Sequence, residues 1–236
     1  MKTSWRPGAG LHIIAHRGGA ALGPENSLEA IAAAGGAGAT DVEVDVHETG
    51  DGSFLVTHDA IIGEQSISEM SLADYRSMTD APVVLLGHVL RSLAATPLGL
   101  YLDVKQLLPG GVERLLQEIV EAGLAERCVF GSFRADLVAR ASEFAAMPTS
   151  LLFHDPGMDL HSVVAGVGCD LLHPCFDVFA DPFAAFTDDW LARARRTGAG
   201  VIAWNVTDAD AATRLIEMGV DGICADDPAV VQNRPS

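Results

Sequence analysis

Apolar and polar residues alternate one by one from Asp41 to Val46, which sets Val42, Val44 and Val46 on one face of a β-strand and Glu43 and Asp45 on the other. Similar short apolar runs recur along the chain and predict seven further parallel strands: His12 to Arg17, Leu100 to Lys105, Cys128 to Phe133, Ser150 to His154, Leu171 to Pro174, Gly200 to Val206 and Gly222 to Ala225. Between them, spacing of three and four predicts helices near Val112 to Ala122, Ala135 to Ala145, Asp159 to Val167, Asp188 to Thr197 and Ala209 to Met218. An earlier helix follows Pro24-Glu25-Asn26-Ser27, with Asn26 or Ser27 as its cap and Leu28, Ile31 and Ala32 as its apolar stripe. After the acidic strand, Gly50-Asp51-Gly52 marks a tight turn, and Ser53 to Thr57 predicts a returning strand that delivers His58. The stretch that follows is turn-rich, with a short helix from Leu72 to Met78 and another from His88 to Ala95. Alternating strand and helix of this kind predicts an α/β fold, a (β/α)8 barrel with a short hairpin insertion, about residues 50–85, after the second strand.

The chain has 236 residues, the size at which eight strand-helix units close into one barrel, so a single domain over residues 1–236 is expected. Hydrophobic residues make up 49% of it, enough for a large aliphatic core. A formal charge of −17 argues against nucleic acid or an anionic membrane as partner, because both require a basic footprint. It also means that an anionic substrate needs local cations in its pocket. Cys128, Cys169, Cys175 and Cys224 are scattered through apolar stretches and predict small buried thiols. Residues 1–10 contain no apolar leader core and no later run approaches a membrane span, so a cytoplasmic protein without stable membrane association is expected.

Candidate chemistry falls where predicted strands run into their loops, the end of a barrel at which active sites are built. His16 and Arg17 end the first strand, Glu43 and Asp45 lie late in the second, Asp103 and Lys105 end the third, and Trp204 lies near the end of the seventh. Neighbouring strand residues point oppositely, so His16 and Arg17 reach one site only if the strand ends between them, which Gly18-Gly19 permits. His16-Arg17-Gly18, Pro24-Glu25-Asn26, the Glu43/Asp45 pair, His58-Asp59, Asp103-Val104-Lys105, Ser132-Phe133, Trp204-Asn205-Val206 and Gly219-Val220-Asp221-Gly222-Ile223 followed by Asp227-Pro228 stand in one order along nearly the whole chain. In that order the sequence resembles the glycerophosphodiester phosphodiesterase family.

The resemblance implies metal-dependent hydrolysis of a small glycerophosphodiester to an alcohol and sn-glycerol 3-phosphate. His16 and His58 take the roles of acid and base on opposite sides of phosphorus, imidazole being the side chain suited to both. Glu43, Asp45 and Asp103 look like three ligands for a hard divalent cation, Mg²⁺ or Ca²⁺. The phosphodiesterases usually carry Glu at the third position, whereas the related sphingomyelinase D type of phospholipase carries Asp. That leaves open a route through a cyclic phosphate product, and a non-catalytic phosphoester-binding barrel is the third alternative. Arg17 and Lys105 look like phosphate clamps. Glu25 either hydrogen-bonds a catalytic side chain or favours the helix start. Trp204 either closes the polar-head pocket or packs in the barrel, its motif reading Asn-Val-Thr where the family has Thr-Val-Asn. His173 either lines the pocket or is structural, and His12, His47, His88, His154 and His161 read as packed histidines.

Overall fold

The computed structural model describes Trp5, Gly8, residues 10–176 and residues 178–232. Most of the expected opening segment, residues 1–4, 6, 7 and 9, therefore lies outside the described residues. Eight parallel strands close on themselves: β1 (His12–Ala15), β2 (Asp41–Glu48), β6 (Gly99–Gln106), β7 (Cys128–Ser132), β8 (Thr149–Phe153), β9 (Leu171–Pro174), β10 (Gly200–Ala203) and β11 (Gly222–Ala225). The closure is β1 pairing with both β11 and β2. The expected returning strand is β3 (Phe54–Val56), antiparallel to the end of β2. A two-stranded ribbon, β4 (Ile61–Ile62) with β5 (Gln65–Ser66), fills part of the insertion and has no counterpart in the sequence expectation.

Helices cover the outside. α1 (Leu28–Ala34) is capped by Ser27, whose hydroxyl accepts the Ala30 N–H at 3.1 Å. α2 (Leu72–Ser77) sits in the insertion, and α3 (Leu86–Ala94), α4 (Gly111–Glu121), α5 (Ala135–Ser142) and α6 (Leu160–Val167) follow in order. A short α7 (Pro182–Ala185) precedes α8 (Asp188–Arg196), α9 (Ala209–Met218) and α10 (Ala229–Gln232). The apolar stripe of α1 departs from expectation. Ala30, Ile31 and Ala34 are buried while Leu28 and Ala32 are exposed, so the face that the helix turns to the barrel lies over positions 30, 31 and 34.

Two sides of β2 face different environments. Val42, Val44 and Val46 pack outward with Leu86, Val89, Leu90, Leu93 and Leu115 of α3 and α4, as the alternation requires. Inside the barrel, Ile14, Tyr101, Val129, Leu152, Leu171, Ile202 and Cys224 form a core, with Trp5 packed against it. All four cysteines are buried and none is in a disulfide.

Tyr101 is fully buried in that interior, and the adjacent strand makes room for it with Gly131. A Cβ at Gly131 would stand 2.5 Å from the Tyr101 hydroxyl oxygen and 2.7 Å from its ring. The ring cannot give way without moving His173, whose Nδ1 lies 2.8 Å from the same hydroxyl. Gly131→Ala is expected to cost about 1–3 kcal/mol through overpacking, measured by urea unfolding, with the strand content of the circular dichroism spectrum retained.

Candidate active site

The first strand stops at Ala15, before the His16-Arg17 pair rather than between its members. Arg17 adopts a left-handed backbone conformation, φ 51° and ψ 38°, and a strand cannot continue through it. The resulting tight turn, His16 to Gly18, lets both side chains reach the barrel mouth: His16 contacts Glu43 there and Arg17 contacts Asp45. Arg17 also turns its main-chain N–H to Glu43 Oε2 at 2.6 Å.

Asn26 is likewise left-handed, with φ 57°, and it is not a helix cap. Its main-chain N–H bonds Arg17 O at 2.7 Å. Its buried side-chain amide clasps Asp45 twice, Nδ2 donating to Oδ2 at 2.8 Å and Oδ1 accepting the Asp45 N–H at 3.1 Å. Asn26 thus locks the loop after β1 onto the acidic strand, a role that the sequence reading missed.

Glu43, Asp45 and Asp103 are all buried at the barrel mouth, and each offers a carboxylate oxygen within 4.8 Å of the others. Asp45 and Asp103 stand side by side in the β2–β6 register. Lys105 bridges them, its Nζ 2.8 Å from Asp45 Oδ1 and hydrogen-bonded to Asp103 Oδ2. Arg17 Nε adds positive charge 3.7 Å from Asp45 Oδ2, and Arg17 Nη1 pairs with Glu25 at 2.7 Å. Two cations therefore face three buried acids.

Their acidities follow from that shortfall. Burial, reinforced by Asp45 and Asp103, pushes the Glu43 carboxyl well above the usual carboxylate range. Burial also raises Asp103, with Lys105 opposing it. Asp45 is buried too, but the attraction and hydrogen bond of Lys105, with help from Asn26 and Arg17, bring it below the usual range. Lys105 resists its own burial through Asp103 and Asp45 and stays protonated. Asp103 Oδ1 is buried without a hydrogen-bond partner. A hard divalent cation fits this donor set: it would occupy the orphaned oxygen and offset the negative charge that burial and mutual repulsion disfavour on Glu43.

His16 is buried, and both ring nitrogens are accounted for. The Trp204 indole N–H donates to Nε2 at 2.8 Å, so the ring proton is on Nδ1 and goes to Asp226 Oδ1 at 2.6 Å. That hydrogen bond holds Asp226 below the ordinary carboxylate range. Asp226 directly follows β11 and lies 210 positions from His16, a separation that hid the pair from the sequence reading; its only signal was an acid at a strand's C-terminal end. Trp204 is half-buried and meets Phe133 edge to face at 6.0 Å. Lys105 Nζ lies 5.7 Å from the centre of the same Phe133 ring, so one aromatic side chain meets both the indole and the ammonium of the mouth.

The remaining histidines divide. His173 is fully buried beneath the mouth on Tyr101, and burial drives it down to about 3, so it is a neutral member of the barrel interior. His154, expected to be packed, is exposed and stacks on Phe133 at 4.9 Å. His58 stands at the rim after β3 with its side chain 40% exposed, its Nδ1 3.0 Å from Asp59 Oδ1. The site thus gathers Arg17, Glu25, Glu43, Asp45, Asp103, Lys105, His16 and Trp204 through direct contacts, while His58 joins it through the backbone of the hairpin.

The model of the Glycerophosphoryl diester phosphodiesterase family matches residues 16–230. The chain belongs to that family. It is accordingly a phosphoric diester hydrolase. A glycerophosphodiester phosphodiesterase of Caldanaerobacter subterraneus is 25% identical over 241 residues, covering 94% of this chain and 96% of its own. Among solved structures, the glycerophosphodiester phosphodiesterase of Thermotoga maritima superposes with a TM-score of 0.74 at 24% identity, covering 92% of this chain and 96% of that one. The Oleispira antarctica phosphodiesterase in complex with the product sn-glycerol-3-phosphate superposes with a TM-score of 0.76 at 21% identity, over 94% and 95% of the two chains. These two likenesses establish the barrel fold. Among the described residues, no helix is long and apolar enough to cross a membrane.

The His16–Asp226 bond has a measurable signature. A carboxyl held below its unfolded value contributes stability that is complete above that value, about 3.9 for Asp, and is lost as pH falls through the depressed folded one. Asp226→Asn is therefore expected to melt with less acid sensitivity than the parent between neutral pH and about pH 3, and to lose activity because the His16 tautomer is no longer enforced. Thermal unfolding across that range, with activity at neutral pH, checks both.

Proposed function

We propose that this barrel domain, residues 1–236, hydrolyses small glycerophosphodiesters to an alcohol and sn-glycerol 3-phosphate with a divalent cation, Mg²⁺ or Ca²⁺, held by Glu43, Asp45 and Asp103. The observation that carries the reading is the juxtaposition of a tautomer-fixed His16 with three buried acids and two cations at one end of the barrel. The family membership and the relative solved with sn-glycerol-3-phosphate support the substrate class.

His16 is the base in this reading. Its Nε2 lone pair, lying 4.0 Å from Glu43, takes the proton of the attacking water, and the Asp226 carboxylate stabilises the imidazolium that forms. The Trp204 indole, which donates to the same nitrogen, is replaced there by the incoming hydroxyl. As the water oxygen bonds to phosphorus and the bond to the leaving alcohol breaks, His58 gives its proton to the departing alkoxide. Arg17 and Lys105 bind the phosphoryl oxygens, the first as a planar fork and the second as a point charge. Glu25 holds the Arg17 fork in place through Nη1. When bound, the cation would supply Lewis acidity toward the phosphoryl oxygens. Trp204, next to Phe133, closes the pocket around the glycerol side.

A soluble diester suits the surface, which carries a formal charge of −17 and, among the described residues, no membrane-crossing helix. We place the protein in the cytoplasm because its four cysteines are buried and none is in a disulfide.

His16→Ala and His58→Ala are each expected to lose activity on the order of 10²–10⁴-fold while remaining folded. Phosphorus NMR of reactions with glycerophosphocholine and glycerophosphoethanolamine is expected to show linear sn-glycerol 3-phosphate. A final cyclic phosphate, or turnover of lysophosphatidylcholine alone, would overturn the hydrolytic reading in favour of the phospholipase route.

The cation assignment is tested separately. Chelation abolishes turnover and added Mg²⁺ or Ca²⁺ restores it; by calorimetry, Asp103→Ala weakens cation binding and Asp103→Glu keeps it. Parental affinity in Asp103→Ala would remove Asp103 from the ligand set.

A further inference from the structure

His47 lies on the inward face of β2, two positions after Asp45, and is buried. Sequence alone gives it no task beyond packing. The sheet marks the position, because the β2–β6 register shifts between Val46 and His47, and His47 faces Gln106 instead of Lys105. Irregularities of this kind re-aim side chains beside active sites.

What the ring touches is specific. His47 Nε2 lies 3.2 Å from the main-chain oxygen of His58. A carbonyl can only accept, so Nε2 carries a proton and donates it. The turn bearing His58 has left the β3 ladder at this point, and its last ladder-like bond runs from Thr57 N–H to Asp45 O at 3.2 Å. The His58 ring is itself weakly held: Asp59, 3.0 Å from its Nδ1, has a side chain that is 83% exposed. Two bonds therefore tie residues 57 and 58 to β2, and the one on His58 itself comes from the His47 ring.

We infer that His47 is a positioning residue for the reaction: its Nε2–H fixes the His58 carbonyl, and through it the placement of the His58 ring over the leaving group. The inference rests on the role given to His58 above. A ring that served only to fill space would be replaceable by any side chain of its volume, whereas an anchor requires a donor at the Nε2 position. Glutamine carries its amide nitrogen about as far from the backbone as Nε2, and asparagine only as far as Nδ1.

His47→Gln, His47→Asn and His47→Leu compared with the parent test this directly. The readouts are kcat and KM for glycerophosphocholine, the melting temperature, and the ring ¹⁵N–¹H correlations of His58. His47→Gln is expected to keep the parental kcat, while His47→Asn and His47→Leu lose it on the order of 10²-fold, the scale of a small misplacement of a reacting group. KM stays parental in all three, because His47 does not touch substrate. The His58 ring signals move in His47→Asn and stay in place in His47→Gln. If His47→Leu does not fold, the Gln and Asn pair still decides. Equal kcat in those two with unmoved His58 signals overturns the inference. If His58→Ala retains full turnover, the role given to His58 is what fails, and the His58 spectra then judge the anchor alone: movement in Asn but not in Gln sustains it, and identical spectra overturn it.

Discussion

Three carboxylates buried together at the mouth of a barrel are the constraint to which the rest of this structure responds. Removing one carboxylate from water costs several kcal/mol, and crowding like charges adds to it. The chain offsets part of that cost with Lys105 between Asp45 and Asp103, Arg17 beside Asp45, the Arg17 N–H on Glu43, and the Asn26 amide on Asp45. It leaves the Glu43 carboxyl pushed well above the usual carboxylate range by burial and its acidic neighbours, and Asp103 Oδ1 without a partner. This incomplete compensation is what the proposed cation would complete, and its added positive charge would offset the negative charge of an anionic phosphoryl group. The strongly negative charge of the chain as a whole then matters little inside the pocket, where close contacts dominate over screened distant ones.

The fold serves this cluster by delivering groups from distant parts of the chain to one end of the barrel. β2 and β6 supply the acids in register, the turn after β1 supplies His16 and Arg17, the turn after β11 supplies Asp226, and the chain beyond β10 supplies Trp204. Below them, Tyr101, His173 and their aliphatic neighbours close the interior, so the mouth has a packed floor. The floor and mouth share Trp204, which lies edge-on to His173 at 6.4 Å and bonds His16 above.

Much of this was legible in the sequence, and the rest was hidden for definite reasons. The alternation at Asp41 to Val46 suffices for the inward acids, because strand geometry leaves no other arrangement once the valines are buried. The eight strands and their order follow from apolar runs separated by helical periodicity. What pattern could not reveal were left-handed non-glycine residues: Arg17 and Asn26 look like a strand end and a helix cap, and only tertiary contacts with Glu43 and Asp45 hold them in those conformations. Long-range partners were equally hidden. Asp226 carries no local mark as the partner of His16, His47 looks like any buried histidine until the returning hairpin is placed over it, and His154 reads as packed until Phe133 is seen to draw it to the mouth.

The central claim is that Glu43, Asp45 and Asp103 hold a divalent cation at the barrel mouth beside the phosphoryl site. The most direct measurement is anomalous diffraction from crystals grown with Mn²⁺ and sn-glycerol 3-phosphate. The account predicts one strong anomalous peak bonded to oxygens of all three carboxylates, with phosphate density beside Arg17 and Lys105. An absent peak, or manganese bound elsewhere while phosphate occupies the mouth, would contradict it.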